Sequence, residues 1–343
     1  MQPTPGDDSG EPRRLTLVSD QAWHCKHLGA FFPDSVIVPW HGALGSDTWA
    51  GWGLKTASRA TAVVARLAGR SFLRLEDGLL RSVGLGKGGA PLGAIGVDDT
   101  GIFYSARAPS RLERLVTASA TPQWKARGAE IRRMVVENRL SKYNALPDRP
   151  VAVPGGGRPR VLLVDQVRGD LSITGSLSDA STFVRMVATA QREQPEAELM
   201  IRTHPDVSAG YRRGYLTDPI EGARLVPDAV DTHAVLDIAD EVWTVSSQIG
   251  FEALLRGIPV TTFGVPFYAG YGLTNDRAEG GPAAEVLARR RRAGADLDAL
   301  TVAALVRYAR YANPATAEPL SAEQAIALLV ELRDRDRRAA EVS

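Results

Sequence analysis

Three apolar segments in the second half of the chain each end in side chains that can do chemistry. Asp170 follows RVLLVDQ, His204 and Pro205 follow ELMIRT, and Ser246 and Ser247 follow EVWTV. Reactive groups of parallel α/β sheets lie just beyond the carboxyl ends of the strands, so these groups are expected to share a crevice. The helix predicted after the two serines would offer free backbone N–H groups to a phosphate. The sequence therefore predicts one crevice that combines a carboxylate, an imidazole and a phosphate site.

Each of these residues also has a structural alternative. Ser246 or Ser247 could be the N-cap of the following helix, a role that is compatible with phosphate binding. A single His after a strand, here His204, is more often structural than catalytic. Asp170 follows a glycine and could be a turn residue. Glu252, on the helix after the serines, could bind a ribose or could complement the helix dipole. Residue types alone leave these roles open.

Two acidic pairs stand out in the first half of the chain. Glu76 and Asp77 end the predicted strand SFLRLEDG, and Asp98 and Asp99 follow GAIGV. A carboxylate at a strand end could act as a general base, or the first pair could stabilise the glycine turn that follows it. The second pair is predicted to lie in the turn of a hairpin over GAIGVDDTGIFY, with binding of acceptor hydroxyls as the alternative. Glycines between residues 84 and 89 would allow a loop that closes on a substrate.

The elements that position these groups follow from the apolar pattern. Short apolar runs alternate with helical patterns from Leu15 onwards, which is typical of sheets layered with helices. The segment NALPDRPVAVPGGGRP interrupts the alternation, and a second α/β unit of parallel type follows it. The predicted fold class is α/β, with two Rossmann-like domains that face a central cleft and C-terminal helices that pack back across them. The predicted parts are a disordered tail at 1–14, an N-terminal domain at 15–145, a linker at 146–159, a C-terminal domain at 160–315 and a last helix at 316–343.

Composition excludes several classes of protein. The chain has 343 residues, and 41 Lys and Arg against 40 Asp and Glu leave a net charge of +1, so no global basic field argues for nucleic acid. No run of about 18 apolar residues is present that could span a bilayer. A single cysteine, Cys25, excludes an intramolecular disulfide and fits the cytoplasm. The run Arg289–Arg292 could attract an acidic lipid surface, although such runs are more often solvated helix faces.

Five stretches of the chain carry a family resemblance. They are EDGLLRSVGLG, VDDTGIFYSARAPSRLE, VDQVRGDLSI, RTHPDVSAGYRRGYL and ADEVWTVSSQIGFEALLRGIPVTTFGVPFYAGYGLTNDR. Together they resemble the KpsC-type capsule synthesis proteins, which are retaining β-Kdo transferases with a GT-B architecture, and the resemblance covers roughly Trp49 to Arg277 in the family's order. Family members usually carry two such modules in tandem, whereas this chain has room for one, so its linkage and product stay open.

The resemblance implies a double displacement. The family's Gln-x-x-x-Asp motif falls on Gln166 to Asp170, which makes Asp170 the nucleophile that attacks Kdo, displaces CMP and forms a covalent intermediate. An acceptor hydroxyl then attacks from the opposite face, and the configuration is retained. Gln166 would orient Asp170 or hydrogen-bond the sugar. The neighbouring Asp165 lies inside the apolar strand pattern, which favours structural hydrogen bonding.

The same resemblance implies a donor site around the CMP moiety. His204, in the family's His-Pro motif, would meet the CMP, and Ser246 and Ser247 would bind its phosphate. Arg202 would be a partner for the donor's carboxylate or phosphate, and Glu252 would reach the ribose. The implied donor-binding residues are Gln166, Arg202, His204, Pro205, Ser246, Ser247, Gln248 and Glu252.

On the other side of the cleft, the resemblance implies an acceptor site. Glu76 matches the acid of the family's Glu-Asp-Gly motif and would be the general base for the acceptor hydroxyl. Asp77 and Arg81 are expected beside it on the acceptor side. No cofactor or metal is expected, since helix dipoles and side chains can hold the donor's phosphate. The weak candidate for a metal pair, Asp98–Asp99, lies on the other domain from the donor site.

The expected partners are CMP-Kdo and a glycan or lipid-linked saccharide acceptor. Nucleic acid is not expected, peripheral contact with the inner face of the membrane stays open, and the sequence does not fix an oligomeric state. One alternative is a GT-B transferase that uses another nucleotide sugar, such as CMP-sialic acid or a UDP sugar. Another is a non-catalytic glycan-binding or scaffold module. The joint presence of Asp170, His204 and Glu76 favours an enzyme, because binding alone does not need a nucleophile.

Overall fold

The computed structural model describes residues 13–18, 27–144, 146–152, 157–227 and 230–342. Residues 1–12 of the predicted tail and Cys25 lie outside this part of the chain, whereas Arg13 and Arg14, also assigned to the tail, begin the first strand. The described chain forms one sheet of seven strands and one of six, with helices connecting the strands. The two-lobed, GT-B-like α/β architecture predicted from the sequence is confirmed.

The first sheet has a parallel half and an antiparallel half. Its strands are β1 (Arg13–Leu17), β2 (Ser35–Val38), β3 (Thr48–Trp52), β4 (Ser71–Asp77), β5 (Ala94–Asp98), β12 (Ala309–Ala312) and β13 (Pro319–Leu320). Their order is β13-β12-β5-β4-β3-β1-β2, and β1 to β4 run parallel to one another. At Gly78, just past β4, a Cβ would lie 2.8 Å from the carbonyl carbon of Ala94. Glycine is therefore needed where the chain leaves the strand end that carries Glu76 and Asp77.

The second sheet is parallel throughout. Its strands are β6 (Arg160–Val164), β7 (Glu198–Arg202), β8 (Ala223–Leu225), β9 (Glu241–Thr244), β10 (Val260–Thr262) and β11 (Asn275–Asp276). Their order is β11-β10-β9-β6-β7-β8. The central strand β6 is buried from Val161 to Val164, as expected for the continuous apolar run of a parallel strand covered on both faces.

Helices and turns connect the strands. The α-helices are α1 (Thr56–Leu67), α2 (Arg111–Thr117), α3 (Pro122–Glu137), α4 (Leu171–Gly175), α5 (Ala180–Glu193), α6 (Pro205–Ser208), α7 (Thr232–Leu236), α8 (Gln248–Leu255), α9 (Gly281–Ala293), α10 (Leu297–Val302) and α11 (Ala322–Val342). The 3₁₀ helices are Leu28–Phe31, Trp40–Gly45 and Gly86–Gly88, and a π-helix spans Ala303–Tyr308. Residues 146–152 and 157–159 of the predicted linker form no helix or strand.

The C-terminal segment returns to the first lobe earlier than predicted. The boundary at 315 falls after β12, which already pairs antiparallel with β5 in the first sheet, Ala309 opposite Gly96 and Tyr311 opposite Ala94. Further on, Glu323 of α11 forms an ion pair of 2.8 Å with Arg127 of α3. The local pattern does not reveal which sheet a strand joins, because that choice depends on contacts distant in sequence.

The hairpin predicted over GAIGVDDTGIFY does not form. β5 pairs with β4 and β12, and no strand directly follows it. Asp98 is fully buried, and its Oδ1 accepts hydrogen bonds from the backbone N–H groups of Thr100, at 2.9 Å, and Gly101, at 2.7 Å. It also accepts from Arg111 N at 3.0 Å and from the Tyr308 hydroxyl at 3.2 Å. Asp98 is therefore the last residue of β5, and its carboxylate anchors the turn that follows together with Arg111 and Tyr308.

One hydrophobic cluster connects the two lobes. It contains Leu79 and Leu140 of the first lobe together with Leu162, Phe251 and Leu300 of the second half of the chain. Because this core is continuous, contacts across it hold the carboxyl ends of β4 and β6 in a defined arrangement.

Candidate active site

Asp170 lies on an exposed loop at the carboxyl end of β6. Gly169 precedes it with φ of +77°, a left-handed conformation that favours glycine. The Asp170 carboxylate caps α4, with Oδ1 accepting a hydrogen bond of 2.8 Å from Ser172 N. The turn role and the functional role that the sequence left open are thus compatible, because the cap orients a carboxylate that stays exposed.

The short helix after Asp170 is bonded to the first lobe. Ala106 N donates a hydrogen bond of 2.8 Å to Gly175 O, and Arg107 Nε donates one of 3.1 Å to Thr174 O. At Gly175 a Cβ would lie 2.6 Å from the carbonyl oxygen of Tyr104, so the two backbones touch. These contacts place the Asp170 loop against the residues that line the first lobe's side of the cleft.

Glu76 faces this region from the end of β4. Its Oε1 accepts hydrogen bonds from Trp52 Nε1, at 3.2 Å, and from Asp77 N, at 3.1 Å. Burial of the carboxyl, together with the charge of Asp77, raises the pKa of Glu76 to about 7. Near neutral pH this group can therefore both hold and release a proton, as a general base requires.

Two residues that the sequence did not single out complete the cluster, and Tyr104 is the first. Its hydroxyl accepts a hydrogen bond of 2.9 Å from Leu54 N. A Cβ at Gly53, where φ is +60°, would lie 3.0 Å from both Glu76 Oε2 and the Tyr104 hydroxyl. Burial raises the pKa of Tyr104, and the charges of Glu76 and Asp170 raise it further. Tyr104 therefore lies within electrostatic range of both predicted catalytic carboxylates and is a neutral phenol at physiological pH.

Lys142 is the second added residue, on the loop after α3. Burial acts to lower its pKa, but neighbouring acidic groups outweigh burial and raise the pKa above its usual value. In decreasing order of effect these groups are Tyr143, Asp77, Glu76 and Asp170. Lys142 is therefore a stable cation that interacts electrostatically with carboxylates of both lobes. It lies in SKYNALP, outside every stretch of the family resemblance, so no local sequence signal could have found it.

His204 lies at the carboxyl end of β7 and caps α6, which begins with Pro205. Its Nδ1 accepts a hydrogen bond of 3.0 Å from Asp206 N, so a neutral ring carries its proton on Nε2. Burial lowers the pKa of His204 to about 4, although the charges of Asp206 and Asp170 oppose this effect. The residue is thus a neutral imidazole at physiological pH, with an Nε2–H group that can donate to a phosphate.

Gln166 connects the ends of two strands. Its Nε2 donates to Ser246 Oγ at 3.1 Å, and its Oε1 accepts from Ser246 N at 2.8 Å. The side chain therefore bonds to Ser246 and not to Asp170, so the predicted orientation of Asp170 by Gln166 is not direct. Asp165 has the structural role favoured from the sequence, since its buried Oδ1 accepts from the backbone N–H groups of Tyr215, at 2.8 Å, and Leu216, at 3.0 Å.

The helix after β9 joins the donor side to the first lobe. Ser247 caps α8 by accepting a hydrogen bond of 3.2 Å from Ile249 N. Gln248 Nε2 donates across the lobes to Leu79 O at 2.7 Å and also to Glu252 Oε1 at 3.1 Å. Burial raises the pKa of Glu252 to about 8.

Glu252 Oε1 also accepts a hydrogen bond of 3.1 Å from Lys142 N. Gln248 and Glu252, both predicted to bind the donor, thus connect α8 to the first lobe at Leu79 and at Lys142.

Arg202 and Arg81 both have partners within the protein. Arg202 is 2% exposed, and its two terminal guanidinium nitrogens donate to the carbonyls of Pro227, at 3.0 Å, and Val230, at 2.7 Å. Arg81 is 8% exposed and forms an ion pair of 2.7 Å with Asp77. Sequence position identified these cations but not their partners, because the partners come from loops distant along the chain.

Among the residues that the structure describes, no group of three or more His, Cys, Asp and Glu side chains could hold a metal ion. Within the same part of the chain, no helix is long and apolar enough to cross a membrane.

Comparison with known proteins identifies the family. The family model described as capsule polysaccharide biosynthesis protein matches residues 48–147 and 148–311. The chain belongs to this family. LipA of Neisseria meningitidis serogroup A, a capsule polysaccharide modification protein, is 39% identical over 300 residues, which are 85% of this chain and 42% of LipA. The chain therefore spans less than half the length of that relative.

Two solved structures resemble this capsule polysaccharide biosynthesis protein closely. The KpsC β-Kdo 2,4 transferase of Thermosulfurimonas dismutans is 36% identical, with a TM-score of 0.84 over 93% of this chain and 98% of that chain. The KpsC β-Kdo 2,7 transferase of the same organism is 26% identical, with a TM-score of 0.68 over 94% of this chain and 99% of that chain. The KpsC-type family membership expected from the sequence is confirmed.

Proposed function

We propose that this capsule polysaccharide biosynthesis protein is a retaining β-Kdo transferase that moves Kdo from CMP-Kdo to a glycan or lipid-linked acceptor. The proposal is supported by its similarity to the β-Kdo 2,4 transferase across nearly the whole of that chain. The observation that carries the mechanism is the pairing of an exposed carboxylate, Asp170, with a half-buried one, Glu76, whose pKa is about 7. The two come from different lobes, and both act on the charge of Lys142.

In the first displacement, the Asp170 carboxylate attacks the anomeric carbon of Kdo. The bond between that carbon and the CMP phosphate oxygen breaks, and its electron pair leaves with CMP. His204 donates a hydrogen bond from Nε2–H to the departing phosphate, because its Nδ1 already accepts from Asp206 N. The product of this step is a Kdo ester of Asp170.

In the second displacement, the acceptor hydroxyl attacks the anomeric carbon from the opposite face. Glu76 takes the hydroxyl proton, and the bond to Asp170 breaks to regenerate the carboxylate. Two inversions give net retention. Lys142 binds the carboxylate of Kdo in both steps. The scheme needs no metal or other cofactor, and we place the reaction in the cytoplasm during capsule or related surface polysaccharide synthesis.

Direct detection of the intermediate tests this proposal. The protein is incubated with CMP-Kdo without an acceptor, and peptide mass spectrometry is used to seek a Kdo adduct on Asp170. The Glu76→Gln variant should accumulate the adduct in the presence of a Kdo-terminated acceptor, because the second displacement lacks its base. NMR of the wild-type product should show the β configuration.

Three outcomes would contradict the proposal. The first is a transfer rate for Asp170→Ala equal to that of the wild type. The second is transfer from CMP-sialic acid or a UDP sugar in preference to CMP-Kdo. The third is binding of the glycan with no release of CMP, which would indicate a binding module.

A further inference from the structure

The outer face of α1 has the reverse of the polarity expected for a surface helix. Ala60, Val63, Val64 and Leu67 follow the spacing i, i+3, i+4, i+7 that forms one stripe of a helix. This apolar stripe faces solvent, with Val63 59%, Val64 52% and Leu67 82% exposed. A helix that packs only against its own sheet would place this stripe inwards.

The inward face of α1 is small and polar instead. Ser58 and Ala65 are buried against the sheet. Ser58 Oγ donates a hydrogen bond of 3.0 Å to Gly53 O. A Cβ at Gly51 would lie 2.7 Å from the same Ser58 Oγ. The sheet thus accepts the small side of the helix closely and leaves the aliphatic side without a partner among the described residues.

A neighbouring 3₁₀ helix extends the apolar surface. Within Trp40–Gly45, Trp40 is 67% and Leu44 80% exposed. Arg70, three residues past the end of α1, donates a hydrogen bond of 2.9 Å from its guanidinium to Leu44 O. This contact brings the 3₁₀ helix to the end of α1 where Leu67 lies. We call the set Trp40, Leu44, Val63, Val64 and Leu67 the apolar ridge.

The charge on α1 and its flanking segments is of one sign, although the exposed Asp47 follows the 3₁₀ helix. Residues 48–75 contain Lys55, Arg59, Arg66, Arg70 and Arg74 and no Asp or Glu. Arg59 and Arg66 are exposed and belong to the same helix as the stripe. Exposed aliphatic side chains on a helix whose charged residues are all cations, beside an exposed tryptophan, are the pattern of a helix that lies in the interface of an anionic bilayer.

We propose that the apolar ridge and its arginines bind the surface of an anionic phospholipid bilayer. The aliphatic side chains and Trp40 enter the headgroup region, and Arg59 and Arg66 pair with lipid phosphates. α1 starts beside the cleft, since Leu54 N donates to the Tyr104 hydroxyl at 2.9 Å. Binding through α1 therefore holds the first lobe's side of the cleft close to the membrane.

The other basic surface suggested by the sequence does not suit this role. In the run Arg289–Arg292, Arg289 and Arg290 both pair with Glu113, at 2.7 and 3.1 Å, and Arg290 is 3% exposed. Charges that are neutralised within the protein contribute little attraction to lipid phosphates.

Vesicle co-sedimentation of the full chain tests the proposal. The probes are vesicles of phosphatidylcholine alone and of phosphatidylcholine mixed with phosphatidylserine. One variant, Leu44→Ser with Val63→Ser and Leu67→Ser, removes apolar side chains. A second, Arg59→Gln with Arg66→Gln, removes charge. Val184→Ser is the matched control, because Val184 is 71% exposed on α5 of the second lobe.

We expect the wild type and the control to sediment with the anionic vesicles and not with neutral ones. Both ridge variants should lose at least about tenfold in partitioning, since each removes one of the two contributions to interfacial binding. Circular dichroism melts should match the wild type, because the changed side chains are exposed.

Equal partitioning of all variants, or no sedimentation of the wild type, would overturn the proposal. A concentration-dependent dimer that only the apolar variant loses would also overturn it, and would assign the apolar ridge to a second copy of this chain.

Discussion

The two carboxylates of the candidate site lie in opposite environments. Asp170 is exposed at the start of a short helix and accepts a backbone hydrogen bond from Ser172. Glu76 is half-buried at the end of β4, beside a second carboxylate, and burial raises its pKa to about 7. The two carboxylates therefore differ in burial and in their neighbours, and burial raises the pKa of Glu76.

This difference explains how the roles can be divided. A nucleophile must reach the anomeric carbon of the donor, and the exposed Asp170 carboxylate, held by its cap at the start of α4, is accessible to it. A base must accept a proton during the reaction and return it to solvent afterwards, which a pKa near the working pH allows. In the proposed mechanism, environment rather than residue type separates the nucleophile from the base.

The largest effect should follow removal of the Asp170 carboxylate. Asp170→Asn should lower the transfer rate by at least about 10³-fold, because an amide cannot form the glycosyl ester. The asparagine can still cap α4, so the melting temperature should stay close to that of the wild type.

A matched variant separates the two uses of this side chain. Asp170→Ala should lose the same activity and, in addition, about 1 kcal/mol of stability as the cap disappears. Rate measurements by CMP release and thermal melts check both. Substantial transfer by Asp170→Asn would contradict the assignment of Asp170 as the nucleophile.

The next largest effect concerns Glu76. Glu76→Gln keeps an oxygen that can accept from Trp52 and Asp77 N but cannot take a proton, so transfer should fall by about 10²- to 10⁴-fold. A burst of CMP release should survive, because the first displacement does not need Glu76. Stopped assays that follow CMP and product separately distinguish the two steps.

The pH dependence of the transfer rate and of stability tests the role of Glu76. The wild-type transfer rate should rise as pH increases through about 7, where Glu76 loses its proton. Because the folded state raises this pKa, the neutral form is favoured on folding, and the associated stability is present at low pH and lost as pH rises through 7. Glu76→Gln should lack this step in both the rate and the stability profile. A wild-type rate that is flat between pH 6 and 8 would contradict the assignment.

Lys142 should have a smaller effect, mainly on donor binding. Lys142→Met removes the cation that interacts with both carboxylates and should raise the donor KM by about tenfold, with a smaller change in kcat. Lys142→Arg should recover part of the affinity by restoring the charge. Lys125→Met is the control, since Lys125 pairs with Asp296 on an exposed surface at 2.6 Å. An unchanged donor KM in Lys142→Met would show that the cation is only structural.

Much of the fold could be predicted from the sequence because its signals are local. Continuous apolar runs identified the parallel strands around β6, and the Pro- and Gly-rich segment marked the change from one lobe to the other. β12 was assigned to the wrong lobe, because the pairing of Tyr311 with Ala94 joins segments distant along the chain. The hairpin at Asp98 failed for the same reason, since its carboxylate serves Arg111 and Tyr308.

The residues of the candidate site also differ in whether a local sequence signal or a contact distant along the chain places them. Asp170, Glu76 and His204 were singled out because each lies at or beyond the carboxyl end of a strand, a position that favours reactive groups. Tyr104 and Lys142 lie in loops whose proximity to those groups depends on contacts between lobes. Arg202 had the right charge at a strand end, yet its partners are backbone carbonyls of another loop.

The smallest expected effect is on the donor KM of Ser247→Ala, and it distinguishes helix capping from phosphate binding by Ser247. Ser247→Ala removes the cap of α8 and should cost about 1 kcal/mol of stability, as should Thr121→Ala, which removes the cap of α3. Only Ser247→Ala should also raise the donor KM, by a few-fold, because one hydroxyl near the phosphate is lost while the backbone N–H groups of α8 remain. Equal donor KM values for the two variants would show that Ser247 only caps α8 and does not bind the donor's phosphate. That result would shift phosphate binding to the His204 side of the second lobe, next to Asp170.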